Sequence, residues 1–201
     1  MKFILGIIIA GAPLFVVEAL YRKHVLGPET GRKISHVASA SSVLVLTLFL
    51  TLQAIAVIAL IFVIVMLVTR LMRFWKSLYS VRRTSWGEIL FPVGILLASL
   101  LAPDVKAFIC AIAIMGFADT AAALVGIKYG RSRIGRTGKT VEGCIAFAVV
   151  ASAVFVILQP VTLPLAILII SLTALTELIS PYGIDNASVP LVLALLLRIT
   201  M

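Results

Sequence analysis

The sequence has 201 residues, of which 62% are hydrophobic and only 12% charged, and its net charge is +9. Soluble domains carry about 45–50% apolar and about 25% charged residues, so a mean hydropathy of +1.22 excludes a water-soluble fold and requires lipid to solvate the surface. The composition predicts one all-α, polytopic helical membrane domain over residues 1–201, without room for a second soluble domain.

Apolar runs predict helices over 3–21, 36–52, 54–69, 88–101, 105–126, 142–158, 162–180 and 187–199. A span needs about 20 residues, and 88–101 and 187–199 are short, so seven or eight helices cross the membrane. The first run is not expected to be a cleaved leader, because it continues past Ala10-Gly11-Ala12 to Leu20 and the basic cluster follows it. Connections near 53, 102–104 and 159–161 are tiny and almost uncharged, whereas 22–35, 70–87, 127–141 and 181–186 are longer and polar. These polar loops hold 14 of the 17 Lys and Arg, leaving Lys2, Lys106 and Arg198. The positive-inside rule then puts the polar loops in the cytoplasm and the N-terminus outside. Orientation and phosphate binding explain the positive charge better than nucleic acid does. Cys110 and Cys144 form no CxxC or metal spacing and read as reduced packing residues.

Seven of the eight carboxylates (Glu18, Glu29, Glu88, Asp119, Glu142, Glu177 and Asp185) share the face of those cations, and only Asp104 lies opposite. The positive-inside rule says little about acids, so a shared polar site is the better explanation. Its sharpest segment runs from Gly116 to Gly143. Asp119 sits about two turns before the end of an apolar helix, where a carboxylate is expensive and usually paired, hydrated or metal-bound. A structural pairing with a loop arginine is the plainer alternative. Ala118, Ala122 and Gly126 recur every four residues, a stripe that admits another helix closely and, around the acid, a ligand cavity.

The chain then turns glycine-rich and basic, with Gly130, Gly135 and Gly138 among five cations. Backbone N–H groups and guanidinium forks suit phosphate oxygens, and Lys139-Thr140 precedes a helix N-terminus, a favourable anion position. This is not a Walker A loop, which would need glycine at Arg133. Glu142, in the first turn of that helix, either complements its dipole or anchors a lysine or a metal.

Three more clusters face the same side: Gly31-Arg32-Lys33-Ile34-Ser35-His36, Arg82-Arg83-Thr84-Ser85-Trp86-Gly87-Glu88 before Phe91-Pro92, and Glu177 with Asp185-Asn186 before Val189-Pro190. Anchoring explains Trp86 but not Glu88. His36 binds phosphate, shuttles protons or is structural, and Asp185-Asn186 cap a helix or bind metal and nucleotide. No Ser-His-Asp order, zinc set or HExxH occurs. Carboxylates beside many cations are the mixture that phosphoryl and nucleotidyl transfer need, since catalysis there is mainly positioning and charge neutralisation.

The order RKxxH at Arg32–His36, GExxFP at Gly87–Pro92, ADTAAxxVGxxYG at Ala118–Gly130, KTxEG at Lys139–Gly143 and E…DNxxVP at Glu177–Pro190 resembles the CTP-dependent lipid kinases. That family includes dolichol, phytol and CTP-using diacylglycerol kinases and is related to phosphatidate cytidylyltransferase. The resemblance covers about residues 18–197. One departure is Ala118, where relatives commonly carry glycine, and it bears on the subfamily. The resemblance implies CTP as phosphoryl donor, Mg²⁺ as cofactor and a lipid alcohol in the bilayer as acceptor. Asp119, Asp185 and Glu177 are the implied metal-binding or hydroxyl-orienting acids. Lys139, Arg131 and Arg133, with Arg82, Arg83, Thr140 and Asn186, would hold the nucleotide's phosphates. Glu142 would order Lys139 or help bind metal, and Arg32, Lys33 and His36 would contact phosphate or cytosine. The lipid is expected to enter near the small-residue stripe. Polyprenols, phytol or other isoprenoid alcohols and diacylglycerol are all open as acceptors, and the sequence assigns no oligomeric state. The rival readings are cytidylyl transfer to a lipid phosphate and, less well supported, a small transporter. Transporters place ionisable groups near the midplane in inverted repeats, and no repeat is visible here.

Overall fold

A computed structural model of the protein describes residues 1–72, 74–79, 85–134 and 138–201. The helices are α1 (Lys2–Arg22), α2 (Pro28–Leu46), α3 (Leu52–Leu71), α4 (Lys76–Tyr79), α5 (Gly87–Leu101), α6 (Val105–Ala113), α7 (Asp119–Tyr129), α8 (Val141–Leu158), α9 (Leu163–Ile179) and α10 (Asp185–Thr200). A π-helical segment, Ile114–Ala118, joins α6 to α7 without a break in the rod. Among the described residues the fold is all-α apart from one small antiparallel hairpin, β1 (Arg133–Ile134) with β2 (Lys139–Thr140), in which Arg133 pairs with Thr140.

Among the described residues, four rods are long and apolar enough to cross a membrane: Lys2–Arg22, Leu52–Leu71, Val105–Tyr129 and Val141–Leu158. Gly87–Leu101 and Leu163–Ile179 are apolar but shorter. Of the Val105–Tyr129 window 61% is buried, against 22% for Val141–Leu158, so the rod carrying Asp119 is the innermost. Phe108, Ile112 and Met115 on it are fully buried. The outer faces are apolar too, with Ile8, Ile64, Val149, Ile157 and Ile167 exposed. In water each such side chain would forgo about 1.5–3 kcal/mol of burial, which a lipid environment removes.

The second helix departs from the expected 36–52. It begins at Pro28, in the first turn where a missing N–H costs nothing, and it ends at Leu46. Thr51 then caps α3 by accepting the Ala54 N–H at 3.3 Å. Apolar runs do not reveal a polar helical turn, so Arg32, Lys33 and His36 stand on a helix rather than leading into one. Hydropathy does not reveal the short α4 either. It is held by buried Glu18, whose carboxylate accepts the backbone N–H of Lys76 and Ser77 at 3.2 and 2.9 Å and the Arg22 Nε at 2.6 Å. Glu18 thus has a structural role.

α5 lies between α3 and α10, α1 packs on α2, and α7 packs on α8. Glycine permits the closest crossing: a Cβ at Gly94 of α5 would stand 2.0 Å from the Asn186 carbonyl oxygen of α10. Gly94→Ala is therefore expected to push these helices apart and cost about 1–3 kcal/mol, the range for overpacking. Gly31→Ala, whose Cβ would make only ordinary contacts at 3.6 and 3.7 Å inside α2, is the control. Thermal unfolding in detergent checks the pair, and equal midpoints would contradict the packing argument.

Candidate active site

The polar ends of α2, α5, α7, α9 and α10 and the hairpin converge. At their centre one carboxylate oxygen from each of Asp119, Glu177 and Asp185 lies within 4.8 Å of the others. Glu177 and Asp185 are buried and Asp119 is partly so. The hairpin carries Lys139 into this cluster. Its Nζ donates to Glu177 Oε1 and Asp185 Oδ2, each at 2.6 Å. Burial disfavours the ammonium, but Asp185 and then Glu177 outweigh that and hold the lysine's pKa above its usual value. Lys139 is therefore charged at neutral pH.

Three carboxylates and one ammonium leave two formal negative charges among these four groups. An all-oxygen donor set of that charge suits a hard divalent ion such as Mg²⁺. The fit is one of donor chemistry and charge balance.

Asp119 is aimed by the π-helical segment, which adds a residue to one turn and rotates the helix beyond it; such segments recur at functional sites. Within it the Met115 carbonyl accepts the His36 Nε2–H at 3.0 Å. That bond makes Nε2 the donor and leaves Nδ1 as the acceptor. The same Nε2 lies 3.7 Å from Asp119 Oδ2, and the ring stands edge-on to Phe91 at 4.8 Å. Gly116 allows this approach, because a Cβ there would meet Ala40 of α2 at 2.3 Å.

Asn186 donates from Nδ2 to the Gly87 carbonyl at 3.0 Å, tying α10 to the start of α5, and its own N–H is held by Asp185 Oδ1 at 3.0 Å. Asn186→Ala removes the tie and is expected to cost about 0.5–1.5 kcal/mol, the net worth of one hydrogen bond. A shift in thermal midpoint reads this out, and no shift would refute it. Thr140 is buried, and its Oγ1 caps α8 by accepting the Gly143 N–H at 3.1 Å, a structural task. Glu142 is not among the three clustered acids; it lines a shallow recess with Lys128, Tyr129, Gly130 and Arg131. Lys139 is instead ordered by Glu177 and Asp185. Arg131 and Arg133 are exposed on the hairpin's approach. Lys33 is buried and Arg32 half-buried. Arg82 and Arg83 lie outside the described residues. Glu88 pairs with Arg70, which also covers the Trp86 ring at 4.0 Å.

The small-residue stripe does not open a cavity. α8 fills it: a Cβ at Gly143 would lie 2.8 Å from the Ala122 carbonyl, and one at Gly126 would lie 3.0 Å from Thr140 Oγ1. The cavity lies instead between α1, α2, α3 and α5. Arg32, Ser35, His36, Ser85, Glu88 and Asn186 form its polar mouth, and Val43, Leu46, Ile55, Ile58, Phe62 and Ile95 its apolar depth. Among the described residues, the buried hydroxyls of Ser35 and Thr120 have no hydrogen-bond partner. The sequence alone does not single out Ser35 beside His36, although its place in RKxxH is the available signal.

The chain is 30% identical over 200 residues to a phytol kinase of Synechocystis, across 92% of this chain and 85% of that protein. The chain belongs to the phytol kinase family. It is also 33% identical over 114 residues to an uncharacterized protein of Methanocaldococcus jannaschii, a match covering 56% of this chain and 58% of that protein, so it spans little more than half of the archaeal relative. No protein-family model and no solved structure matches. The family and the acid cluster together support enzymatic potential at this site.

Proposed function

We propose that this member of the phytol kinase family is a CTP-dependent lipid kinase, forming one catalytic domain over residues 1–201. It would transfer the γ-phosphate of CTP to the hydroxyl of a polyprenol, other isoprenoid alcohol or diacylglycerol. One observation carries the reading: an acid cluster holding a charged lysine adjoins the mouth of an apolar slot through His36 and Asn186. The four long rods and the common polar end support an integral membrane protein, for which we propose seven or eight crossings, the shorter apolar helices included, and a site at the cytoplasmic face.

In the proposed reaction the acceptor oxygen bonds to the γ-phosphorus, the bond from that phosphorus to the β–γ bridging oxygen breaks, and CDP leaves. Asp119, Glu177 and Asp185 would hold Mg²⁺, which supplies positive charge to the phosphate oxygens when bound. Asp119, the acid that approaches His36 at the slot, would orient the hydroxyl and accept its proton. Lys139 would keep Glu177 and Asp185 in place and meet the incoming phosphates. The exposed Arg131 and Arg133 would draw in the triphosphate, with Arg82 and Arg83 available to the same task. Arg32, Lys33 and His36 would contact phosphate or the cytosine ring from α2.

The test is turnover of purified protein with Mg²⁺ and CTP labelled at the γ-phosphate, offered a panel of lipid alcohols. Label in the lipid and release of CDP are expected. Pyrophosphate release with phosphatidate, without lipid label, would replace the kinase with a cytidylyltransferase. Silence in both from folded protein would overturn the enzyme reading and return attention to transport.

A further inference from the structure

We infer that the slot between α1, α2, α3 and α5 holds the acceptor's apolar chain and, through its closed floor, sets the longest chain accepted. This rests on the kinase reading for the identity of the occupant. On α2 the lining runs from Arg32 to Leu46, about 21 Å of helix at 1.5 Å per residue. Polarity changes once along it, from charged and hydroxyl groups to aliphatic ones. A molecule with one hydroxyl and one apolar tail of up to about 21 Å matches that order, which narrows the acceptors proposed above to single-tailed alcohols shorter than a polyprenol.

Two observations tie the slot to the site. His36 lines the slot and reaches Asp119 at 3.7 Å, while Asn186, also lining it, follows Asp185. At the mouth the Ser35 hydroxyl is buried and unpartnered, and a buried hydroxyl without a partner costs about 1–3 kcal/mol. A substrate hydroxyl would satisfy it.

The floor is closed from α1. A Cβ at Gly6 would meet Leu50 Cδ1 at 2.8 Å, Ile58 Cδ1 at 3.0 Å and Leu46 Cδ2 at 3.7 Å, so α1 lies directly against the side chains that end the slot. Leu46, Ile55 and Ile58 therefore measure chain length. Ala59, part-way up α3, is the position at which a larger side chain would shorten the slot.

The test uses the full-length protein in detergent and a linear primary alcohol carrying a diazirine at the tail end. After irradiation, label is expected on Leu46, Ile55 or Ile58, and an unlabelled alcohol should compete it away. Ala59→Phe is expected to weaken binding of alcohols near the 21 Å limit by about tenfold or more relative to its effect on short ones. Ile55→Ala is expected to admit longer ones. Label on outward residues such as Leu48 or Ile64, or an equal effect of both variants at every chain length, would overturn the inference. Floor labelling without phosphate transfer would sink the kinase reading and leave the slot standing. Phosphate transfer without floor labelling would do the reverse.

Discussion

Asp119→Asn is expected to reduce γ-phosphate transfer by about 10³-fold or more, the scale on which groups that position or neutralise a transferring phosphoryl act. The thermal midpoint should stay unchanged or rise. Asp119 is one of three like charges within 4.8 Å of one another, and Lys139 bonds to the other two. An isosteric amide removes repulsion without removing volume, the usual sign of a residue kept for activity at the expense of stability. Turnover and midpoint measured on one preparation decide the matter. A large fall in midpoint would mark Asp119 as structural, and wild-type turnover would remove it from the mechanism.

Lys139→Met is expected to behave differently. The structure separates the two. The lysine compensates buried Glu177 and Asp185 at 2.6 Å each, and breaking a buried pair by removing one partner costs about 3–5 kcal/mol. Loss of turnover and a markedly lower midpoint should therefore come together. Added Mg²⁺ should raise the variant's midpoint more than the wild type's, because a cation can then take the place of the ammonium among the acids. Equal midpoints for variant and wild type without metal would show that the lysine is not the counter-ion inferred here.

Both expectations draw on features that differ in how far the sequence reveals them. That the acids form a shared polar site is legible, because seven of eight share a face for which orientation gives no reason, and the motif resemblance points within them to Asp119, Glu177 and Asp185. The separation of Glu142 from them is not. It stands three residues from Lys139 in KTxEG, yet the hairpin turns Lys139 toward α9 and α10 while Glu142 faces the Gly130–Arg131 turn. Spacing along a chain cannot tell which way a two-residue strand will aim its side chains. The stripe of Ala118, Ala122 and Gly126 does mark a close helix contact, but its occupant is α8 rather than a ligand.

The sequence by itself determined the all-α class, the positions of the apolar rods other than α2 and the shared polar end. Each is set by local composition against the thickness of a bilayer, which needs about 20 apolar residues regardless of their neighbours. The tertiary structure alone decided the π-helical turn that aims Asp119, the lysine–acid bonds and the site of the apolar slot. These depend on which helix faces touch. Small residues permit close contact between helices in lipid, but which small face meets which partner is settled only by packing all the rods at once.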